Sequence, residues 1–230
     1  MAALYVGTSG FSYPAWRGHF YPPDLPGGRM LAHYSERLTG VEVNGSFYRH
    51  PDRASLRRWR DRAPVGFRFC LKAHRSLTYS AAGSDRGEWA ADFGRTAAAL
   101  GDRGGPVLLQ LPPTRQRDVA FLDGLLEALG RPAAVEPRHE SWFERDVYGT
   151  IARHRGALVV TDGGSWPMAP RLELAGLAYL RLRRDYDAPA LAAWREVVAS
   201  ELSRQDEVHV YFKHEVQGPE RAMSLLHLAG

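Results

Sequence analysis

Eight short apolar runs alternate with amphipathic stretches along the chain, and this alternation is the strongest constraint on its fold. The runs are LYVG (4–7), VEVN (41–44), FRFCLK (67–72), VLLQL (107–111), AVEPR (134–138), ALVVTD (157–162), AYLRL (178–182) and VHVYFK (208–213). Strands that alternate with helices form parallel sheets with crossover connections. Eight such units in 230 residues predict an α/β fold, a single (β/α)8 TIM-like barrel over residues 1–230.

The stretches between these runs carry apolar residues at spacings of three and four, which is the period of a helix packed on one face. This pattern predicts helices over 31–38, 54–62, 89–100, 119–129, 147–154, 191–202 and 220–228. No long helix is predicted directly after Asp162. No GxGxxG motif follows the first run, which disfavours a dinucleotide-binding sheet.

Within each run, polar residues occupy alternate positions, which are the positions of one parity. In the second run, valines alternate with Glu42 and Asn44, and in the sixth run Val159 falls in the apolar set and Asp162 in the polar set. Because side chains alternate between the two faces of a strand, the apolar set should face the helices and the polar set the barrel axis. The polar members crowd the carboxyl ends of the strands, where barrel enzymes build their sites. The predicted ring consists of Glu42, Asn44, Lys72, Gln110, Glu136, Arg138, Asp162, Arg181 and Lys213.

Lysine occurs only at Lys72 and Lys213, although lysine and arginine together number 30. Lysine is a compact charge whose pKa shifts readily on burial, whereas arginine stays charged. Both lysines end apolar runs, so we expect both ammonium groups in the ring.

The loops after the first and second runs are rich in aromatic residues and would lie on the same face as the ring. Trp16, Arg17 and Tyr21 are the better site candidates in the first loop, and the second loop adds Tyr48. His139 follows the ring residue Arg138. Aromatic side chains can stack on a sugar or a base, but most of these are expected to pack the barrel top.

Composition limits the partners. The net charge of +4 is compatible with nucleic-acid binding, yet the arginines are scattered and share helices with acidic residues, so this partner is not favoured. The single cysteine, Cys70, allows no internal disulfide. No run approaches the ~20 apolar residues of a membrane span, and the first residues have no signal-peptide pattern. We expect a cytoplasmic protein without a membrane partner.

Buried charges persist only when they are paired or completed by a ligand. The favoured hypothesis is an enzyme that acts on a small anionic substrate, phosphorylated or carboxylated, by acid–base chemistry. The catalytic candidates are Glu42, Lys72, Glu136 and Asp162. The binding candidates are Asn44, Gln110, Arg138, His139, Arg181, Lys213, Trp16, Arg17 and Tyr48.

Four alternatives remain open. Lys72 or Lys213 could form a Schiff base with a carbonyl substrate. Glu42, Glu136, His139 and Asp162 could hold a metal ion for hydrolysis, although no metal-ligand spacing is present and no metal is predicted. The protein could bind a ligand or nucleic acid without catalysis, or the ring could be a self-paired structural network.

Several motifs add a resemblance to a known family. They are GTSGFSYPAWRGHFYP (7–22), VEVNGSFYRHP (41–51), GFRFCLKAHRSLT (66–78), LLQLPP (108–113), AVEPRHESW (134–142) and a weaker YFKHEVQGPERAMSLL (211–226). With these the chain resembles the domain-of-unknown-function 72 family, also called YecE-like proteins. The resemblance implies a TIM barrel and places Glu42, Asn44, Lys72, Gln110, Glu136, Arg138, His139, Asp162 and Arg181 on typical polar positions. Lys213-His214 departs from the family's usual Asn pair, and Gly45-Ser46 departs from its usual small-hydroxyl pair.

Overall fold

The computed structural model describes residues 2–80, 85–172, 174 and 176–227. Every predicted run contains a strand, and the sixth contains two, separated by Val159. The strands are β1 (Ala3–Thr8), β2 (Gly40–Val43), β3 (Arg68–Leu71), β4 (Val107–Gln110), β5 (Ala133–Glu136), β6 (Ala157–Leu158), β7 (Val160–Asp162), β8 (Leu177–Leu182) and β9 (Glu207–Phe212).

The seven predicted helices are also present, with ends that differ by a few residues. The helices are α1 (Met30–Ser35), α2 (Arg53–Arg62), α3 (Arg75–Thr78), α4 (Arg86–Ala97), α5 (Val119–Leu129), α6 (Arg145–Arg153), α7 (Ala188–Leu202) and α8 (Gly218–His227). The short α3 was not predicted, because a single turn carries no periodicity. The predicted end of the last helix, Leu228, lies outside the described residues.

Three of the longer helices begin at an aspartate. The carboxylates of Asp52, Asp118 and Asp187 each accept a hydrogen bond from a backbone N–H three residues on, which caps α2, α5 and α7. Such caps satisfy amide groups that the first helical turn leaves unpaired.

The strands form three parallel sheets, which confirms the predicted mixed α/β class. Their orders are β1-β9-β8-β7, β2-β3 and β4-β5-β6. Isolated parallel bridges also link neighbouring sheets, one between Ser9 and Glu42 and another between Lys72 and Leu108.

Apolar residues divide into two clusters according to strand parity. The large cluster holds the helix faces and one parity of the strands, for example Val41, Val43 and Leu180. The small cluster holds the other parity and consists of Cys70, Leu108, Ala134, Ala157, Val159, Leu177, Tyr179 and Tyr211. No helix in the described part of the chain is both long and apolar enough to cross a membrane.

Candidate functional site

Arg181 on β8 forms a two-pronged ion pair with Glu42 on β2. Its Nε donates to Glu42 Oε2 at 2.9 Å and its Nη2 donates to Glu42 Oε1 at 2.7 Å. Ser9 Oγ donates to the same carboxylate at 2.8 Å, and the Tyr179 hydroxyl donates to it at 3.0 Å. Glu42 is fully buried, so four donors compensate for the water that its carboxylate has lost.

Arg181 also binds a second carboxylate, Glu136 at the end of β5. Its Nη1 donates to Glu136 Oε1 at 2.6 Å, and Thr161 Oγ1 donates to that oxygen at 2.7 Å. Gln110 donates its amide to Glu136 Oε2. We call Glu42, Arg181 and Glu136 the buried ion triad, since all three are almost completely buried.

The triad fixes the charge state of its members. Burial alone would raise the pKa of both carboxyl groups, but the Arg181 charge, the hydrogen bonds to the carboxylates and the neighbouring cations together outweigh it. The result is a lowered pKa for Glu42 and a pKa of about 2 for Glu136. Burial works against the Arg181 charge, yet the two carboxylates raise its pKa. All three groups are therefore ionised at neutral pH, and neither carboxyl group holds a proton to donate there.

Lys72, at the end of β3, is next to the triad without being paired to it. Its Nζ donates to Gln110 Oε1 at 2.9 Å and lies 4.2 Å from the centre of the Phe47 ring. Tyr79 donates its hydroxyl to the same amide oxygen at 3.2 Å. Burial and the nearby Arg181 charge lower the pKa of Lys72 to about 8. Lys72 can therefore gain or lose a proton close to neutrality.

Two further arginines lie beside the triad. Arg138 Nε is 3.8 Å from Glu136 Oε2, and the guanidinium lies 4.9 Å from the centre of the Trp166 ring. Burial and Arg181 lower the pKa of Arg183. Lys72 and Arg183 have no carboxylate within 4.0 Å among the described residues. We call Lys72, Arg138 and Arg183 the mouth cations.

Two polar atoms in this region are buried without a hydrogen-bond partner among the described residues. They are Asn44 Oδ1, directly after β2, and Arg138 Nε. Buried polar atoms are normally satisfied, so these two are exceptions within the site.

The predicted position of Asp162 was wrong. Asp162 is next to Leu182 in the sheet register, whereas Thr161 is next to Arg181. Its carboxylate accepts hydrogen bonds from Arg184, Tyr186 and the α7 residue Trp194. The alternation in this run is therefore the reverse of the prediction. Val159 and Thr161 lie on the side of the triad, since Val159 belongs to the small cluster and Thr161 contacts Glu136.

Lys213 was also misplaced. Strand β9 ends at Phe212, and Lys213 forms no bridge in the described part of the chain, whereas Lys72, which also follows its strand, continues the strand pairing through its bridge with Leu108. The Lys213 ammonium group forms an ion pair with Glu215, and its side chain is 38% exposed. It has no contact with the triad.

The remaining binding candidates have local partners. Trp16 is fully buried and donates its indole N–H to the Glu215 carbonyl at 3.2 Å. Arg17 donates to the Pro23 carbonyl, Tyr48 is 73% exposed, and His139 Nδ1 accepts from the Ser141 amide. None of these four side chains contacts the triad in the described residues.

Sequence reasoning missed four donors to this network: Ser9, Tyr79, Thr161 and Tyr179. Tyr179 has the same strand parity as Arg181, so alternation could have identified it. Thr161 was hidden by the wrong phase of its run, and Ser9 follows its strand in a loop. The described residues contain no group of three or more His, Cys, Asp and Glu side chains that could hold a metal ion.

Comparison with known proteins gives a consistent result at the sequence level. The family model described as "Protein of unknown function DUF72" matches residues 5–230. The UPF0759 protein YunF of Bacillus subtilis is 29% identical over 161 residues, or 63% of this chain and 54% of the relative. The UPF0759 protein YecE of Escherichia coli K12 is 28% identical over 145 residues, or 62% of this chain and 51% of the relative. The matches thus span about half the length of these relatives.

Solved structures of DUF72 family proteins are also similar to this chain. The crystal structure of a DUF72 family protein from Thermotoga maritima is similar with a TM-score of 0.85 and 27% identity, covering 98% of both chains. A DUF72 family protein from Enterococcus faecalis has a TM-score of 0.79 at 18% identity, covering 99% of this chain and 98% of its own. This second likeness concerns the fold alone.

Proposed function

The chain belongs to the DUF72 family, as its motifs indicated, and from its strand-end site we propose that it is an enzyme acting on a small anionic substrate, phosphorylated or carboxylated. The observation that carries this proposal is an excess of positive charge. Lys72, Arg138 and Arg183 lie around a triad whose own arginine already binds both carboxylates. An anion would complete these charges, because a partly buried cation without a partner is costly.

The unsatisfied polar atoms support the same substrate. Arg138 Nε can donate to a phosphate or carboxylate oxygen, and Asn44 Oδ1 can accept from a substrate hydroxyl or amino group. A guanidinium presents a planar fork of donors that fits phosphate and carboxylate groups. The substrate would therefore carry a hydroxyl or amino group as well as its anionic group.

The pKa values favour Lys72 as the acid–base group. Glu42 and Glu136 were catalytic candidates, but both are held ionised by Arg181. A general acid or base works best when its pKa lies near the working pH, and burial brings Lys72 to about 8. In this proposal Lys72 takes or delivers the proton, the mouth arginines bind the anion, and the triad fixes Gln110, which positions the lysine.

We also propose that the three sheets close into one (β/α)8 barrel. The parallel bridge between Ser9 and Glu42 links β1 to β2, and the bridge between Lys72 and Leu108 links β3 to β4. Between β5 and β7, the Val159 amide donates to the Val135 carbonyl at 2.8 Å. In this arrangement the buried ion triad lies on the axis of a single domain.

Schiff-base chemistry is the second candidate, and the lowered pKa of Lys72 favours it. A neutral amine beside a fixed cation is the form that attacks a carbonyl group. Borohydride reduction in the presence of a carbonyl substrate would leave a stable adduct on Lys72 if this route operates. If the protein converts a carbonyl substrate but no such adduct forms, the role of Lys72 would be proton transfer.

The two lysines provide a matched test of the main proposal. Phosphorylated and carboxylated metabolites are screened for those that raise the thermal unfolding temperature of the parent protein. We expect Lys72→Met to abolish this stabilisation and Lys213→Met to preserve it, because only Lys72 contacts the site. Equal stabilisation of the parent and Lys72→Met would contradict the proposal.

A further inference from the structure

A cavity of about 620 Å³ lies at the opposite ends of the strands from the buried ion triad. Its lining residues include Gly105, Arg131, Arg155 and Gly176, which precede strands, and Glu207, which begins β9. Since the strands are parallel, these amino ends gather on one side of the molecule. We call this space the amino-end cavity, and its volume is typical of a small-molecule site.

Two glycines of the lining are required by the backbone. A Cβ atom on Gly105 would lie 2.7 Å from the buried Cys70 Sγ, which is closer than such atoms approach, so the chain packs tightly against the interior at this point. Gly176 has φ of 100°, a conformation that residues with side chains rarely adopt.

Arg131 contributes an unused charge to the wall. Its Nε is buried without a hydrogen-bond partner, and burial lowers the pKa of its guanidinium. No carboxylate of the described residues lies within 4.0 Å of it. An arginine in this state gains most from an anionic partner that brings its own acceptors.

Arg155 contributes a second guanidinium through an unusual backbone conformation. With φ of 53°, it is the only residue other than glycine with positive φ in the described part of the chain. Its exposed side chain has no hydrogen bond or ion pair within that part. Arg155 directly follows the cap of α6, and its amide donates to the Ala152 carbonyl while the Gly156 amide donates to the Ile151 carbonyl, as at a common helix end. The helix therefore ends at the cavity wall with the Arg155 guanidinium unpaired among the described residues.

The acidic lining residues form no ion pair with these arginines among the described residues. Glu207 is engaged by Arg68 at 3.5 Å and by His209 at 3.1 Å. Asp206 also lines the cavity without a cation of the described residues within 4.0 Å, so the unpaired charges of the lining are two arginines and one aspartate. We propose that the amino-end cavity is a second ligand site, which binds the phosphate or carboxylate group of a small polar molecule through Arg131 and Arg155. This inference does not depend on the proposed activity at the strand carboxyl ends.

Inorganic phosphate and acetate serve as probes, each titrated at constant ionic strength while backbone amide signals are followed by NMR. Gly104, Gly105 and Gly176 report on the cavity because their backbones line it. We expect saturable shifts of these glycine signals, with phosphate alone if the site selects phosphate and with both ions if it also accepts carboxylates. Shifts that grow linearly to tens of millimolar with either ion would overturn the proposal.

Variants separate this site from general ionic effects. Arg131→Gln should weaken binding about tenfold, the loss expected for one charge-assisted contact. The exposed Arg57 of α2 supplies the matched control, and Arg57→Gln should bind like the parent. Lys72→Met should also leave these glycine shifts unchanged, which distinguishes failure here from failure of the proposed function.

Arg155→Gly provides a second test of the site, which remains valid if Arg131→Gln folds poorly. Glycine adopts positive φ without strain, so this variant should unfold at a higher temperature than the parent while binding the probe about tenfold more weakly. Unchanged affinity in both Arg131→Gln and Arg155→Gly would show that the two arginines do not form a site.

Discussion

The buried ion triad and the mouth cations lie side by side but solve the problem of buried charge in opposite ways. In the triad, Arg181 satisfies two carboxylates, and each carboxylate receives additional hydroxyl or amide donors. Among the described residues, the mouth cations have one long ion pair, from Arg138 to Glu136 at 3.8 Å, and Lys72 and Arg138 otherwise contact neutral groups. In the proposed function, the triad maintains the structure of the site and the mouth cations bind the ligand.

The largest expected effect comes from removing the centre of the triad. Arg181→Met leaves Glu42 and Glu136 buried without their shared cation, and breaking such a pair costs about 3–5 kcal/mol. Urea unfolding followed by tryptophan fluorescence should show a loss of this size. Arg184→Met is the control, because Arg184 pairs with Asp162 from a largely exposed position. If both variants lost a similar small amount of unfolding free energy, the triad would be no more important for stability than a surface ion pair.

The second-largest effect on stability is expected in acid, which should weaken the triad. Because the folded-state pKa of Glu136 is about 2, its stabilising contribution is complete above the unfolded pKa near 4.3 and is lost as the pH falls towards 2. The loss amounts to about 3 kcal/mol at 1.36 kcal/mol per pKa unit. Denaturant unfolding across this range should show a steeper fall in the parent than in Glu136→Gln. Parallel curves for the two proteins would contradict the pairing.

Alkali should have the opposite effect through Lys72. Its folded-state pKa of about 8 is below the unfolded value near 10.4, so the unfolded chain binds the extra proton between these values. Stability from this group therefore rises with pH, by about 2 kcal/mol between about pH 8 and pH 10. The parent should gain this amount relative to Lys72→Met in matched unfolding experiments. A constant difference across that range would mean that Lys72 is not desolvated.

The smallest effect on stability is expected at Arg183. It has no ion pair within 4.0 Å among the described residues, and burial lowers its pKa, so Arg183→Met should change the unfolding free energy by less than about 1 kcal/mol. The same variant should lose thermal stabilisation by the anionic ligand identified in the screen. Full ligand stabilisation in Arg183→Met would remove this residue from the site.

Much of the fold could be predicted because strand parity and helical periodicity are local properties of the sequence. The triad could be located for the same reason, since Glu42, Glu136 and Arg181 interrupt apolar runs at one parity. Asp162 was misplaced because ALVVTD has apolar residues at both parities, and the strand breaks at Val159. Lys213 was misplaced because the strand pairing stops before it at Phe212, whereas the pairing continues through Lys72, which bridges to Leu108.

The pairing within the site could not be predicted from the sequence. Seven charges were placed in one ring without any means of deciding which carboxylate each cation would bind. Arg181 contacts both Glu42 and Glu136 because its planar fork can serve two acceptors at once. This assignment leaves Lys72 without a carboxylate partner among the described residues, and so favours Lys72 over the two glutamates within the original set of four catalytic candidates.

The most direct test of the account is the pKa of Lys72 itself. With only two lysines in the chain, lysine labelled with ¹³C and ¹⁵N gives two side-chain signals, and Lys213→Arg leaves the signal of Lys72 alone. The account predicts that this signal titrates with a midpoint of about 8 and shifts when the anionic ligand is added. A midpoint near the ~10.4 of a free lysine, unchanged by ligand, would contradict the role proposed for Lys72 and the distinction between the triad and the mouth cations.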